Sequence, residues 1–273
     1  MDYRIAIPSY RRADTLVART LRTLKTLGVS DDRVTVFVAD QQDLQAYKSV
    51  VPSSVAVVLG APGLLAQRQF YNGYYEKGTR LLNIDDDLFA LKTISKDGKR
   101  LVDAGAAGWS LDAIVDYAFR VCERHGARLW GISAVENAFY MKPATSVGLK
   151  YICGIFHGSY AGDASLCGAD RARVSSGEDF ETTIRSHKDN GCVVRLDWLC
   201  PKTKYFAAGG MREELGGTDE RRQIEHTKEL HNIARRHPAY ATVYTKAGGV
   251  TNLKLMRLPS QVDRSPLPFT FPA

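Results

Sequence analysis

Three consecutive aspartates, Asp85, Asp86 and Asp87, follow a short apolar run and are the residues best suited to metal chemistry in this sequence. On an extended backbone, alternate side chains share a face, so Asp85 and Asp87 would point the same way about 7 Å apart. Their repulsion would cost about 2–4 kcal/mol at an effective dielectric constant of about 20. Mg²⁺ or Mn²⁺ would relieve it, because such ions take a few protein carboxylates together with substrate phosphates. A solvated acidic loop is the alternative interpretation.

The residues around these acids alternate between strand-like and helix-like patterns. Apolar runs predict strands at residues 4–7, 34–39, 55–59 and 81–84. Helical spacing of apolar residues predicts helices at 13–27 and 64–77. Such alternation is typical of a mostly parallel sheet covered by helices, whose ligands bind at the carboxyl ends of the strands. The polar residues predicted at such ends are Pro8, Ser9, Tyr10, Arg11, Asp40 and the acidic triplet.

The second half of the chain is predicted to extend this architecture. Further helices are expected at 111–124, 178–190 and 219–236, and strands with short turns within 129–160. Four prolines in residues 258–273 indicate an extended tail. We therefore expect a single α/β domain over residues 1–257, followed by a proline-rich tail at 258–273.

Composition indicates an ordinary globular protein with a basic surface. The 273 residues carry a formal net charge of +7, and residues 201–257 hold eleven Lys or Arg against six Asp or Glu. This surplus suits a polyanion such as a nucleotide diphosphate or nucleic acid, although a solvated basic surface explains it equally well. The five cysteines include no CxxC pair, which argues against structural zinc. No apolar run approaches 18 residues, so we expect a cytoplasmic protein with reduced thiols and no membrane span.

Several segments occur in the same order as the motifs of family 2 glycosyltransferases. Residues 5–12 resemble the family's opening strand and polar turn, which lies against the nucleotide. Asp40 resembles the acid that contacts the base or ribose, and residues 63–68 resemble the glycine-to-arginine segment that places Arg68 near the nucleotide. Residues 85–87 are similar to the DxD signature, and Glu178 with Asp179 resembles the family's Glu-Asp motif.

This resemblance implies a GT-A-like fold, with a Rossmann-type central sheet and a C-terminal helical and extended elaboration. Residues 1–90 would form the nucleotide-binding half and residues 91–257 the acceptor-binding half. The donor would be a nucleotide-sugar, expected to be a UDP-sugar, and the cofactor Mn²⁺ or Mg²⁺. Asp85 and Asp87 would hold the metal, and Asp85 and Asp86 would also contact the donor.

The same resemblance assigns a mechanism. Asp179, with Glu178 beside it, would take the proton of the acceptor hydroxyl, and a base opposite the leaving group implies a single displacement with inversion. Charge complementation at a helix start is the simpler account of Asp179. Enzymes of this fold often take a third metal ligand from a C-terminal histidine, for which His226 or His231 is the candidate.

Residues 131–141 and 204–212 resemble a narrower group, the TET/JBP-associated glycosyltransferases of phages and eukaryotes. That resemblance implies 5-hydroxymethylpyrimidine in DNA as the acceptor, whose base must leave the duplex. The aromatic residues that could stack on it, or else fill the core, are Tyr140, Tyr151, Phe156, His157 and Tyr160.

Other functions remain compatible with the sequence. The acceptor could be a protein, a glycan or a small molecule. A nucleotidyltransferase would share the sheet and the acids but should begin with a glycine-rich, lysine-bearing loop, which residues 8–11 are not. A non-catalytic nucleic-acid-binding module would need the basic surface and no metal-binding acids. The sequence identifies neither the sugar nor the oligomeric state.

Overall fold

The protein was analysed as a computed structural model, which describes residues 2–163, 177–203, 219–246 and 249–272. The strands are β1 (Arg4–Pro8), β2 (Val34–Val38), β3 (Ala56–Leu59), β4 (Arg80–Ile84), β5 (Ala90–Ile94), β6 (Leu101–Asp103), β7 (Leu129–Ile132), β8 (Thr145–Gly148), β9 (Phe156–Tyr160), β10 (Val193–Leu196), β11 (Leu199–Lys202), β12 (Ala241–Thr245), β13 (Thr251–Leu255) and β14 (Gln261–Asp263). The helices are α1 (Ala13–Leu16), α2 (Arg22–Thr26), α3 (Gln41–Val50), α4 (Leu64–Tyr74), α5 (Leu111–His125), α6 (Glu178–Asn190) and α7 (Asp219–Arg236).

The largest sheet formed by the described residues has nine strands, in the order β14-β8-β10-β7-β9-β4-β1-β2-β3. Strands β3, β2, β1 and β4 are mutually parallel, whereas β9 runs antiparallel to both β4 and β7. Strand β7 is therefore parallel to β4, and the carboxyl ends of β1, β2, β4 and β7 share one edge of the sheet. The predicted mostly parallel sheet is confirmed.

The alternation of side chains along β1 explains how helices cover both faces of this sheet. Ile5 and Ile7 point into the main core with residues of α5, whereas Ala6 points to the other face, against Tyr71 of α4. A smaller core, built around Leu230, joins α6, α7 and the β12–β13 hairpin. Within the described ranges, no helix combines the length and apolar character needed to cross a membrane.

The predicted helices all occur, those at 178–190 and 219–236 with the predicted bounds and the others with shifted ones, and one further helix was not predicted. A π-helical turn, Val17–Leu21, joins α1 to α2, and α4 ends at Tyr74 rather than at residue 77. Helix α3 was not predicted, because Leu44 and Tyr47 give it only a sparse apolar stripe. Ser110 occupies the N-cap position of α5 but makes no side-chain capping hydrogen bond.

The proline-rich segment at residues 258–273 is extended, but it is also integrated into the fold. Residues Gln261–Asp263 form β14 and pair antiparallel with β8. The ring of Phe269 stacks on Trp109 with centroids 4.0 Å apart, and Phe271 packs beside it. This segment therefore closes one end of the main core.

Candidate active site

The acidic triplet lies in a turn at the carboxyl end of β4, not on extended backbone. Strand β4 ends at Ile84, and residues 86 and 87 form the turn. Thr20, in the π-helical turn, anchors it: its hydroxyl donates to the carbonyl of Asp85 at 2.9 Å and accepts from the amide of Leu88 at 2.9 Å. The expectation of a continuing extended strand was wrong, because the chain turns after Ile84; Asp85 contacts Arg68, and Asp87 lies near Arg12.

Asp86 is the most buried acid of the three, at 6% exposure, and serves as a structural anchor. Its Oδ2 accepts a hydrogen bond from Ser9 at 2.6 Å, and the Ser9 hydroxyl lies 2.7 Å from that of Tyr47. Arg12 donates to Asp86 Oδ1 at 3.2 Å and lies 3.6 Å from Asp87 Oδ2. Ser9, predicted to contact the donor, is thus engaged with Asp86. Arg12 and Tyr47 are site residues that the sequence did not single out.

The backbone conformation of Arg11 decides which arginine faces the acids. Arg11 has a φ of 52°, in the left-handed region, and its amide donates to Asp43 Oδ2 at 3.2 Å. Its guanidinium lies 4.9 Å from the ring centroid of Tyr10, at the end of the loop that follows Pro8. Asp40 caps α3 by accepting from the amide of Asp43 at 2.8 Å. Their predicted donor contacts stay predictions.

Arg68 joins the acidic turn to the start of α6. Its guanidinium forms an ion pair with Glu178, lies 3.3 Å from Asp85 Oδ1 and donates to the carbonyl of Gly154 at 3.0 Å. Burial raises the pKa of Asp85 to about 7; the Arg68 charge opposes the rise and the Asp87 charge adds to it. The structure therefore brings together Arg68, Asp85 and Glu178, three residues that the sequence predicted to share a site.

Asp179 occupies the first turn of α6, beside Glu178. Its Oδ2 accepts a hydrogen bond from the phenol of Tyr151, whose ring stacks on Phe180 with centroids 4.3 Å apart. Burial, and then the nearby Glu178 charge, raise the pKa of Asp179 to about 6, although the Tyr151 hydrogen bond and Arg68 lower it. A carboxylate with a pKa near 6 can accept a proton at neutral pH. Tyr151 was predicted only as a stacking residue.

A small cavity of about 30 Å³ lies between α4 and α6 over β4 and β9. Arg68 and Asp179 line one part of it, and the sheet contributes Asn83, His157 and Ser159. Tyr71, Leu129 and Ile152 also line it, so these polar groups are set among apolar side chains on the face opposite the main core. Polar groups of this kind can orient a bound hydroxyl compound.

The carboxylate oxygens of Asp85 and Asp87 are suitable ligands for a divalent cation. Both are carboxylates, both have raised pKa values through burial, and each has an arginine within 4 Å. Two hard oxygen ligands suit an ion that also takes oxygens from a substrate diphosphate. In the parts of the chain that the structure describes, no three His, Cys, Asp or Glu side chains converge as a complete metal cage. A third ligand from His226 or His231 stays a prediction.

The aromatic residues predicted to stack on an acceptor base have different environments. Phe156, His157 and Tyr160 are buried at 0–7% exposure, and Tyr151 is engaged with Asp179. Tyr140 is 65% exposed in the turn after β7. The second motif of the narrower resemblance, residues 204–212, lies outside the described residues.

Comparison with known proteins gives a family and a fold. Residues 3–210 match the family described as TET-Associated Glycosyltransferase. No curated protein sequence matches the chain.

Among solved structures, the chain is similar to the 1–349 segment of TarS from S. aureus, with 14% identity, a TM-score of 0.50 and coverage of 86% of this chain and 65% of that one. For TarS in complex with UDP-GlcNAc the identity is 16% and the TM-score 0.51, with coverage of 86% of this chain and 66% of that one. For the mannosyltransferase PcManGT from Pyrobaculum calidifontis, in complex with GDP-Man and Mn²⁺, the identity is 11% and the TM-score 0.52, with coverage of 86% of this chain and 64% of that one. The chain spans slightly less than two thirds of each of these proteins. At these identities the similarity shows the fold alone, and the GT-A-like prediction is confirmed.

Proposed function

Because this chain belongs to the TET-associated glycosyltransferase family, we propose that it transfers a sugar from a nucleotide-sugar to the hydroxymethyl group of a 5-hydroxymethylpyrimidine in DNA. A UDP-sugar is the expected donor. TarS has been solved with UDP-GlcNAc, and PcManGT with GDP-Man and Mn²⁺. Those complexes support a nucleotide-sugar donor and a divalent ion for this chain.

The observation that carries the proposal is the position of Arg68 between the two halves of the site. Arg68 contacts Asp85 of the acidic turn and Glu178 at the start of α6, and Asp179 lies next to Glu178. A carboxylate proposed to hold the cation and the start of the helix that carries the proposed base thus meet at one arginine. A module that only binds nucleic acid has no need of this arrangement.

On the donor side, the chain provides two carboxylates and a buried support for them. Asp85 and Asp87 would hold a divalent cation, which when bound supplies positive charge against the diphosphate that departs. Asp86 holds the turn in place through Ser9 and Arg12. Arg12, close to Asp87, would add its positive charge to that of the cation on the donor side.

On the acceptor side, Asp179 acts as the general base. The hydroxyl oxygen of the acceptor forms a bond to the anomeric carbon while the bond from that carbon to the diphosphate oxygen breaks, and the hydroxyl proton passes to Asp179. The Tyr151 phenol fixes one carboxylate oxygen of Asp179. Attack opposite the leaving group gives inversion at the anomeric carbon.

DNA as acceptor rests on the family assignment and on charge. The chain carries a net charge of +7, and its basic residues suit a polyanionic acceptor. A protein, glycan or small molecule is the alternative acceptor. Transfer that weakens steeply between about 50 and 200 mM salt would distinguish DNA from these.

The test is a screen of donors against hydroxymethylated DNA. The purified protein is incubated with Mn²⁺, UDP- or GDP-sugars and duplex DNA that contains 5-hydroxymethylcytosine, and the digested nucleosides are analysed by mass spectrometry. We expect a hexose or pentose adduct with the wild type and none with D179N. Absence of an adduct with every donor would refute the DNA acceptor, whereas donor hydrolysis alone would retain the glycosyltransferase with another acceptor.

A further inference from the structure

An exposed aromatic turn follows β7, whose carboxyl end lies on the same sheet edge as the candidate active site. Phe139 and Tyr140 are 84% and 65% exposed, and their rings meet edge to face with centroids 5.1 Å apart. Large aromatic side chains are mostly apolar, and they are usually buried in a core or at an interface. Two adjacent rings held in solvent therefore indicate a contact surface.

The turn is built so that these two rings project while its other apolar residues hold it down. Ala138 and Met141 pack against the main core, and the side chain of Asn137 accepts from the amide of Phe139 at 3.0 Å. The amide of Met141 donates to the carbonyl of Ala138 at 3.1 Å. Phe139 and Tyr140 are thus presented by an anchored 3₁₀ turn, which lowers the entropy lost when they bind a partner.

The position of the turn connects it with the transfer reaction. It follows β7, whose carboxyl end lies on the same sheet edge as that of β4, two strands and about 10 Å away. Phe89, two residues beyond the acidic turn, is 59% exposed, and the Lys202 ammonium lies 5.7 Å from its ring centroid. Lys202 also lies 3.9 Å from Glu136, in the loop that leads to the aromatic turn.

The charges around the turn fit a polyanion. Lys142 is exposed directly after the turn, and the side chain of Lys202 is 44% exposed on the side of Phe89. Glu136, an acid in this surface, is engaged with Lys202. Exposed aromatic rings near lysines are the combination by which proteins hold the bases and phosphates of an unpaired strand.

We infer that the Phe139–Tyr140 turn is a nucleobase-stacking contact for the DNA strand that carries the acceptor hydroxyl. The inference rests on the proposed DNA acceptor and extends it from the reacting group to the neighbouring bases. A base that leaves the duplex to reach Asp179 exposes the faces of its neighbours, and the two rings lie at the edge of the sheet where those faces would emerge.

The experiment compares variants of the full chain in binding an oligonucleotide with one 5-hydroxymethylcytosine, in single-stranded and duplex form, by fluorescence anisotropy. F139A/Y140A should raise the Kd for both forms about 5- to 100-fold, because each stacked base contributes an affinity of that order. F139Y/Y140F, which keeps both rings, should bind as the wild type does. The control F70A/Y74A removes an exposed aromatic pair of α4 that packs on Phe37, and it should keep the wild-type Kd.

The outcomes separate this inference from the proposed function. If the wild type glycosylates hydroxymethylated DNA but F139A/Y140A binds and glycosylates it equally well, only the stacking contact is refuted. If the wild type modifies no hydroxymethylated DNA with any donor, both proposals fail. Unchanged DNA affinity together with conversion of a wild-type dimer to a monomer would assign the turn to self-association and overturn the inference.

Discussion

The phenol of Tyr151 donates a hydrogen bond to Oδ2 of Asp179, the carboxylate that we propose as the general base. A donor to a carboxylate stabilises its charged form, so this contact lowers the pKa of Asp179 against the burial that raises it. Tyr151 therefore has two effects on Asp179: it fixes one carboxylate oxygen in space and keeps the group ionised at lower pH.

We predict that Y151F moves the acidic limb of the pH profile to higher pH. Loss of the donor raises the pKa of Asp179 above its value of about 6, so less of the base is ionised in mildly acidic solution. A hydrogen bond to a charged group contributes about 1.5–3 kcal/mol, and kcat/KM near pH 6 should fall roughly tenfold or more. The loss should shrink toward pH 8, where the base is ionised in both proteins.

The matched control for Y151F is Y117F, which removes the hydroxyl of another buried tyrosine. The Tyr117 hydroxyl lies 3.0 Å from that of Thr145, on the α5 face of the sheet. Its removal should leave the acidic limb where it is in the wild type. Parallel pH profiles for Y151F and wild type, offset by a constant factor, would contradict the assigned effect of Tyr151 on ionisation.

Asparagine at position 87 and asparagine at position 86 should have different effects, the first on turnover and the second on stability. D87N removes one of two carboxylates proposed to hold the cation, so kcat should fall about 100-fold or more. The melting temperature should change little, because Asp87 lies at the rim of the Ser9 and Arg12 network. Steady-state kinetics over a Mn²⁺ titration and thermal melting measure the two effects.

D86N serves as the contrasting variant in the same turn. Asp86 accepts hydrogen bonds from Ser9 and Arg12 in a buried position, and asparagine leaves part of that network unsatisfied. We expect a stability loss of about 1–3 kcal/mol. A D87N protein that retains wild-type turnover, with the same response to Mn²⁺, would rule out Asp87 as a metal ligand.

The strand ends that carry the site were predictable from the sequence, because each apolar run is followed directly by polar residues. Residues 4–7 and 81–84 read as buried strands, and the polar residues after them could only lie at the carboxyl edge of a parallel sheet. The helix start at Glu178 was likewise predictable, because charged residues at a helix N-terminus and apolar spacing within it are local signals.

The choice of partner for each side chain was not predictable, because it depends on backbone geometry that the residue types do not fix. The left-handed φ of Arg11 is what turns Arg12 toward Asp86 and Asp87. The turn after Ile84 is what places Asp85 beside Arg68 and Asp87 near Arg12. Both follow from a few dihedral angles, for which non-glycine residues carry little sequence signal.

Contacts between segments that are distant in the sequence could not be predicted from local sequence patterns either. Tyr151 and Asp179 are 28 residues apart, and the loop before β9 must pack on α6 for them to meet. His237 shows the same limit. His237 lies 3.0 Å from Glu181 of α6 and is buried there, a structural role that its spacing from His226 and His231 did not indicate.

The buried carboxylate of Glu181 should make stability depend on acid. Burial raises its pKa, but hydrogen bonds from His237 and Arg185 outweigh burial and lower the pKa from 4.5 to about 2. The stabilisation is therefore complete above about pH 4.5 and is lost as pH falls through 2. Urea unfolding of the wild type between these values should show the decline.

E181Q removes this charge while it keeps the shape of the side chain. Its basic neighbours would lose their partner, and we expect the free energy of unfolding at neutral pH to fall by about 3–5 kcal/mol. The difference from the wild type should narrow as pH falls through the range in which Glu181 titrates. E123Q is the control: Glu123 pairs with Arg80 at the surface, 50% exposed, and its loss should cost less than about 1 kcal/mol. Equal stabilities of E181Q and E123Q would contradict the assignment.

The packing of Trp130 on Gly158 should be intolerant of a single added methyl group. These residues face each other on β7 and β9, and a Cβ at Gly158 would lie 1.9 Å from Nε1 and 2.1 Å from Cε2 of Trp130. Because the indole is fully buried, it can yield only by displacing the core around it, and G158A should lower the free energy of unfolding by about 1–3 kcal/mol or more.

G73A is the matched substitution, since a Cβ at Gly73 in α4 meets nothing within 4 Å. It should stabilise the protein by about 0.5–1 kcal/mol through the better helix propensity of alanine. Chemical denaturation of both variants measures the contrast, and a G158A protein as stable as G73A would show that the sheet accommodates the methyl group.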